Sequence, residues 1–341
     1  MALLYGQLSG AQSLREIEAG LSSHRLRLYH VGTQAPSRST LADANAKRPQ
    51  EVFVSLFAHM VGQANRGLRK KLGEAVRLID STGLKLSSAS DWAHYSAGIC
   101  GAKLHVVYDP DADRPLYAVV STARVHDITP AKAMPIEAGA TYVFDLGYYD
   151  YGWWAELHDA GCRIVTRFKK NTPLAVIEEL TVTVGSPVLS DRIGHLPERM
   201  AKSRKNPFGD PVRELRINTD TGKELRILTN DLDAPAEEIA ELYKRRWQVE
   251  LFFRWIKQTL KIRHFLGTSE NAVRIQVAVA LIAFLVLRLA QAAAKTIKSP
   301  LAFARLVCTN LMHRRSLNAL LEPPPPIVRD TRQLAFNVNP I

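Results

Sequence analysis

Apolar residues recur every three or four positions in "AQSLREIEAGL", where Leu14, Ile17 and Leu21 share one helical face. "PSRSTLADANAKRP" predicts a second short helix, with Ser39 or Thr40 as its N-cap and Pro49 as its stop. Residues 1–70 are therefore expected to be helical. The pair fits a helix-turn-helix with Arg38, Lys47 and Arg48 facing phosphates, and fits ordinary helix packing equally well. At Ala75 the pattern changes. "AVRLID" is a short apolar run ending in Asp80, with "STG" as a turn after it. "AGICGAKLHVVYDPDADRPLYAVVSTA" predicts two strands around a polar turn. The turn's Asp109, Asp111 and Asp113 resemble a calcium loop but lack its Gly and terminal Glu, so a hairpin is expected. "DITPAKAMPIEAG" predicts a short helix, "TYVFDLGYYDYGWWAELHDAG" a strand, a turn at Gly147 and a helix, and "CRIVTRFKK" a further strand.

From Ala75 to Lys170 this is a mixed α/β sheet. Residues 171–232 form a β-rich insertion, read from "LTVTVGSPVLSDRIG", "PVRELRINT" and "ELRILTN", with a basic loop "PERMAKSRKNPFGD". From Ala234 to about Leu321 the chain is predicted helical, and "EPPPP" ends the fold. The expected organisation is a helical region 1–70, a core in two parts (71–170 and 233–322) around the insertion 171–232, and a tail 323–341. "IQVAVALIAFLVL" is short of the roughly 20 residues that span a bilayer and is flanked by Arg274 and Arg288, so a buried helix is expected and no membrane partner.

Charge sharpens the picture. Of a net +12 over 341 residues, a surplus of 11 falls between Glu241 and Ile341, where 16 Lys or Arg face 5 Asp or Glu. Such asymmetry points to a polyanion, most often nucleic acid. Cys100, Cys162 and Cys308 show no zinc spacing, which predicts reduced thiols and a cytoplasmic protein. His94, His105 and His126 show no ligand spacing either. Trp153 and Trp154 are expected in the core.

"ELYKRRWQVELFFRWIKQTLK" reads as one basic helix holding an acid, Glu250, near its middle. At about 100° per residue, Tyr243, Arg246, Glu250 and Lys257 fall within an arc of roughly 60°. An amphipathic core helix with an Arg246–Glu250 ion pair, and with Trp247, Leu251 and Trp255 on a neighbouring apolar face, is the simpler account of this stretch. It leaves the four-group stripe unexplained. Asp80 and Asp145 each follow an apolar strand, at the sheet rim where α/β folds place ligands. If these two acids and Glu250 converge, carboxylates about 4 Å apart repel by several kcal/mol at an effective dielectric near 20. Divalent cations among them remove that cost, and carboxylate oxygens suit Mg²⁺ or Mn²⁺.

Tyr243, Arg246, Glu250 and Lys257 match the spacing Y-(2)-R-(3)-E-(6)-K. With "IDSTGLKL" around Asp80 and "FDLGYYDY" around Asp145, the chain resembles bacterial DDE transposases of the insertion sequence four family. The resemblance implies an RNase H-like fold with a β-stranded insertion. It implies catalytic and metal-ligand roles for Asp80, Asp145 and Glu250 toward two Mg²⁺ ions, with Mn²⁺ as a substitute. It implies DNA-backbone roles for Tyr243, Arg246 and Lys257, to which Arg254 on the same helix is added. The reaction implied is nicking at transposon ends and attack of the freed 3′-hydroxyl on target DNA, with a homodimer pairing the ends and a location at the bacterial nucleoid. The N-terminal region looks shortened against the family, so the alternative is an inactive DNA-binding remnant. Some relatives stack a flipped base on a Trp in the insertion; here Ala155 to Leu242 holds no Trp or Tyr, which leaves Phe168 or Phe208 for that role.

Overall fold

The computed structural model describes residues 1–68, 75–96, 99–183, 185–199, 204–219, 222–262, 264–294, 299–312 and 319. The expected tail at 323–341, its "EPPPP" stop and residues 200–203 of the basic loop lie outside the described residues.

Four helices come first: α1 (Ala2–Ser9), α2 (Leu14–Ser23), α3 (Arg38–Lys47) and α4 (Glu51–Leu68). Ser13 caps α2 by accepting from the Glu16 amide at 3.2 Å, while the Glu16 carboxylate accepts from the Gln12 amide at 2.8 Å. This reciprocal bonding starts the helix where its apolar stripe begins. Ile17 and Leu21 then pack with Leu28 and Leu41 in a small core of their own. The cap of α3 is Ser37, not Ser39 or Thr40: its hydroxyl accepts from the Thr40 amide at 3.2 Å. Arg38, Lys47 and Arg48 are solvent-exposed.

The centre of the molecule is one mixed sheet. Its first part holds β1 (Val76–Lys85), the short β2 (His94–Ser96), β3 (Ile99–Asp109) and β4 (Arg114–Thr122). After α5 (Ile128–Lys132) come β5 (Thr141–Phe144), α6 (Tyr151–Asp159) and β6 (Arg163–Arg167). Strands β4, β3 and β1 are antiparallel neighbours, and β5 and β6 then run parallel to β1. Three antiparallel strands followed by two parallel ones make the RNase H-like arrangement. The parallel strands are buried at their centres, as strands covered on both faces are: all four residues of β5 and the middle three of β6 are buried.

Side chains alternate between two cores. Val76, Leu78 and Val143 face the core shared with the C-terminal helices, whereas Ile79, Phe144 and Ile164 face the one filled by α6. Trp153 and Trp154 are wholly buried in the second. The β-rich segment is not a separate layer. Its strands β7 (Ala175–Leu180), β8 (Val188–His195), β9 (Val212–Asn218) and β10 (Glu224–Thr229) are antiparallel, and β10 pairs with β6, so the sheet continues through them. Among the described residues of "LTVTVGSPVLSDRIG", Leu180 and Val188 onward are strand. Gly185 takes φ +87° and the Ser186 amide bonds the Thr183 carbonyl at 3.1 Å, so the middle is a turn.

Among the described residues the further helices are α7 (Ala236–Arg245), α8 (Trp247–Thr259), α9 (Glu270–Ala294) and α10 (Pro300–Thr309). α9 is long and apolar enough by composition to cross a membrane, and it lies in the core against α1, α3 and α4. Phe168 and Phe208, the two stacking candidates, are buried: the Arg226 guanidinium covers the first ring and His158 packs on the second. Neither presents a face to a base.

The return from β10 to α7 is anchored by a buried ion pair. Arg213 on β9 grips both oxygens of Asp191 on β8, at 2.8 and 2.6 Å, and also donates to the Leu232 carbonyl. Asp191→Ala strands that guanidinium without its partner, so we expect a loss of about 3–5 kcal/mol, measured as a lower urea midpoint.

Candidate active site

Asp80 stands in mid-strand rather than at a strand end. β3 supplies an antiparallel partner for β1 as far as Lys85, opposite Gly101. Ser81 and Thr82 are therefore strand residues and not the expected turn. On its other side β1 loses its partner, because β5 stops at Phe144. The β1–β5 register pairs Leu78 with Val143, so two residues on it sets Asp80 beside Asp145. Both backbones are extended there, and alternation turns both side chains toward the face covered by α8. Ser81 then faces the opposite side.

Glu250 comes from α8. The basic stretch is two helices, not one: the Arg246 amide bonds the Tyr243 carbonyl, three residues back, and this tighter turn separates α7 from α8. Arg246 at this joint reaches across the site. It donates to Glu250 Oε1 at 2.7 Å and to Asp80 Oδ2 at 3.4 Å. Its guanidinium also lies 5.8 Å from the centre of the Tyr243 ring. Lys257 donates to Thr82 Oγ1 at 2.6 Å, which ties α8 to β1 one residue pair beyond Asp80. Arg254 is exposed on the same helix. The buried face of α8 is Val249, Phe252, Phe253 and Ile256; Trp247 and Leu251, expected on an apolar face, are 50% and 45% exposed.

The structure thus gathers Asp80, Glu250, Arg246, Tyr243 and Lys257 around one edge, with Asp145 on the adjoining strand. Burial pushes the Asp80 carboxyl up to about 6, with the Asp145 and Glu250 charges adding to it while the Ser81 amide and Arg246 oppose it. Two amides hold the aspartates in place: Ser81 N–H donates to Asp80 and Gly147 N–H to Asp145, each at 2.8 Å.

Four nearby groups escaped the sequence reading. Arg167 ends β6, and the register pairing Phe144 with Thr166 sets it beside Asp145. Asp127, Lys103 and Tyr148 lie on the other side of the two aspartates. The signal for Arg167 was present: "IVTR" is an apolar run closed by a charge, like the runs before Asp80 and Asp145.

Do these residues fit divalent cations? Among the described residues no three His, Cys, Asp or Glu are drawn into a finished ligand shell. After burial, the charges of Asp145 and Glu250 add to the rise of the Asp80 carboxyl, and one guanidinium bridges Asp80 and Glu250. An all-oxygen, partly buried, mutually repelling set held apart by a cation fits hard divalent ions once the guanidinium moves aside.

The "Transposase DDE domain" profile matches residues 71–286. The chain belongs to the DDE transposase family. These are polynucleotidyl transferases of DNA transposition, and the family implies a divalent metal. The chain is 41% identical over 301 residues to a putative transposase of Sinorhizobium fredii, covering 88% of this chain and 85% of that protein. It is 31% identical over 255 residues to a probable insertion-sequence transposase of Geobacillus stearothermophilus, covering 73% of this chain and 66% of that one. A piggyBac transposase solved in a synaptic complex with hairpin DNA is similar at a TM-score of 0.44 and 11% identity, over 86% of this chain and 66% of its own. Residues 1–34 match a domain of unknown function.

The raised Asp80 carries a stability consequence. With a folded-state value of about 6 against 3.8 unfolded, the stabilising proton is held below pH 4 and lost as pH rises through 6. Asp80→Asn should therefore be more stable than the parent at pH 7.5 by on the order of 1–3 kcal/mol, read as a higher melting temperature, and no more stable below pH 4. Added Mg²⁺ should raise the parent's melting temperature and leave that of the variant nearly unmoved.

Proposed function

We propose that this chain is a Mg²⁺-dependent transposase of the Y-(2)-R-(3)-E-(6)-K group, which nicks DNA at transposon ends and joins the freed 3′-hydroxyl to target DNA. The observation that carries this is the meeting of Asp80 and Glu250, from distant parts of the chain, at a single guanidinium, with Asp145 beside Asp80 on the adjoining strand. Asp80, Asp145 and Glu250 would hold the ions, which when bound supply Lewis-acid stabilisation to the attacking and leaving oxygens of an in-line displacement.

The chain's own groups do the rest. Arg246, released from Asp80 and Glu250, reaches a DNA phosphate, where its planar fork pairs two oxygens. Lys257 and Arg254 line the following turns of α8 as further phosphate partners, and the Tyr243 ring backs Arg246. In the first step water attacks the phosphorus and the bond to the 3′-oxygen breaks; that oxygen leaves as a hydroxyl, taking up a proton. In the second step the hydroxyl gives up its proton and attacks a target phosphodiester, so one P–O bond forms as another breaks. No cofactor is consumed, because the second step exchanges one phosphodiester for another.

The test is incubation with end-bearing DNA and Mg²⁺, scoring nicks and joined products. Glu250→Gln removes several kcal/mol of charge stabilisation, so nicking should fall by roughly 10²-fold or more, while DNA binding persists. Binding should weaken with salt, and Lys257→Met should reduce the log–log slope by about 1. Salt-sensitive binding by a parent protein that never nicks would instead mark a DNA-binding remnant, and a flat salt response would exclude both.

A further inference from the structure

Asp127 occupies the N-cap position of α5, where a carboxylate normally accepts from the first-turn amides. It makes no such bond. Its side chain turns to the sheet instead. Oδ1 accepts from Ser81 Oγ at 3.0 Å and from Lys103 Nζ at 3.0 Å. Lys103 is itself fixed, donating to the Val125 carbonyl at 3.0 Å. His105 Nδ1 lies 3.7 Å from the same oxygen, but burial pushes this imidazole down to about 4 and keeps it neutral. Lys103 is thus the cation that balances Asp127.

The other oxygen looks toward the second aspartate. A Cβ built on Gly147 would stand 3.2 Å from Asp127 Oδ2 and 3.0 Å from Asp145 Oδ1. Both carboxylates therefore crowd one glycine, and any side chain there would push them apart. Beneath them lies the Tyr148 ring, whose hydroxyl ionises well above its ordinary range through burial and through the charges of Asp80, Asp127 and Asp145.

Asp127 thus contacts the residue after Asp80 and borders the second residue after Asp145. We propose that Asp127, charge-balanced by Lys103, is a positioning residue that braces Ser81 against Gly147 and so sets the spacing of the two aspartates. The inference rests on the transposase reading of those aspartates. It makes the abandoned helix cap intelligible: a local rule is broken where a site needs the group elsewhere.

The experiment compares the parent with Asp127→Ala, Asp127→Asn and Ser81→Ala. Mn²⁺ binding is followed by electron paramagnetic resonance without DNA, and nicking of end-bearing DNA against Mg²⁺ concentration. Outer partners of metal ligands are typically worth 10–100-fold in affinity or rate. Asp127→Ala should weaken Mn²⁺ binding and raise the half-saturating Mg²⁺ by about tenfold or more. Ser81→Ala should do the same, and the double variant should add little, as expected of two residues in one contact. Asp127→Asn keeps an acceptor for Ser81 and Lys103 and should recover most of the loss. A variant that melts lower but binds Mn²⁺ as the parent does has only a structural residue altered, and that overturns the proposal; if Asp127→Ala does not fold, Ser81→Ala decides alone. A parent that binds no Mn²⁺ and never nicks fails the transposase reading itself, which a normal parent with unaffected variants does not.

Discussion

Three carboxylates brought to one sheet edge must be neutralised, and the rest of the site is arranged around that demand. At an effective dielectric near 20, two unit charges about 4 Å apart repel by roughly 4 kcal/mol. Burial adds a desolvation cost, visible in Asp80. The protein meets it with Arg246, whose guanidinium lies within 2.7 Å of Glu250 and 3.4 Å of Asp80. Beneath the two aspartates, Asp127 carries its own counter-charge in Lys103 at 3.0 Å, so the pair adds no net charge to the site. Charge balance, and not apolar packing, explains why a predominantly basic helix carries an acid at this point.

The fold supplies the geometry with few devices. A parallel strand that stops short leaves Asp80 and Asp145 side by side at an open edge, and strand alternation faces them to α8. A tight turn at the α7–α8 joint places Arg246 where one side chain reaches both Asp80 and Glu250. The joint is held from outside by the β3–β4 hairpin: Arg245 bonds Asp111 at 2.6 Å, and Arg288 of α9 bonds Asp113 at 2.7 Å. The aspartate-rich turn that resembles a calcium loop is thus an anchor for two helices, which is why it holds so many acids without the Gly and Glu of an ion-binding loop.

Much of this was legible from pattern. Apolar runs located β1, β3, β5 and β6, each holding a run of buried residues, and the polar turn between two apolar runs located β4 beside β3. Extents were harder. β1 runs past Asp80 because β3 pairs with it, a long-range fact that no local window holds. The single helix drawn through Arg246 is two, since one tightened hydrogen bond leaves no compositional trace. Trp247 and Leu251 look like core on a helical wheel, yet α8 turns its other face inward. Asp127 was invisible because an acid before a short helix reads as an ordinary cap; only coordinates show that it caps nothing.

The two readings of the basic stretch, an ion-paired helix and a phosphate-gripping one, need not compete. An Arg four residues before a Glu pairs with it when nothing better is present. Under the proposed function, the same spacing would keep a cation beside the acid, and the guanidinium would exchange carboxylate oxygens for phosphate oxygens without leaving the helix. On the proposed reading, the i, i+4 pair holds Arg246 beside the acid that would ligate an ion, and the bases on the helix would serve both roles with one set of charges.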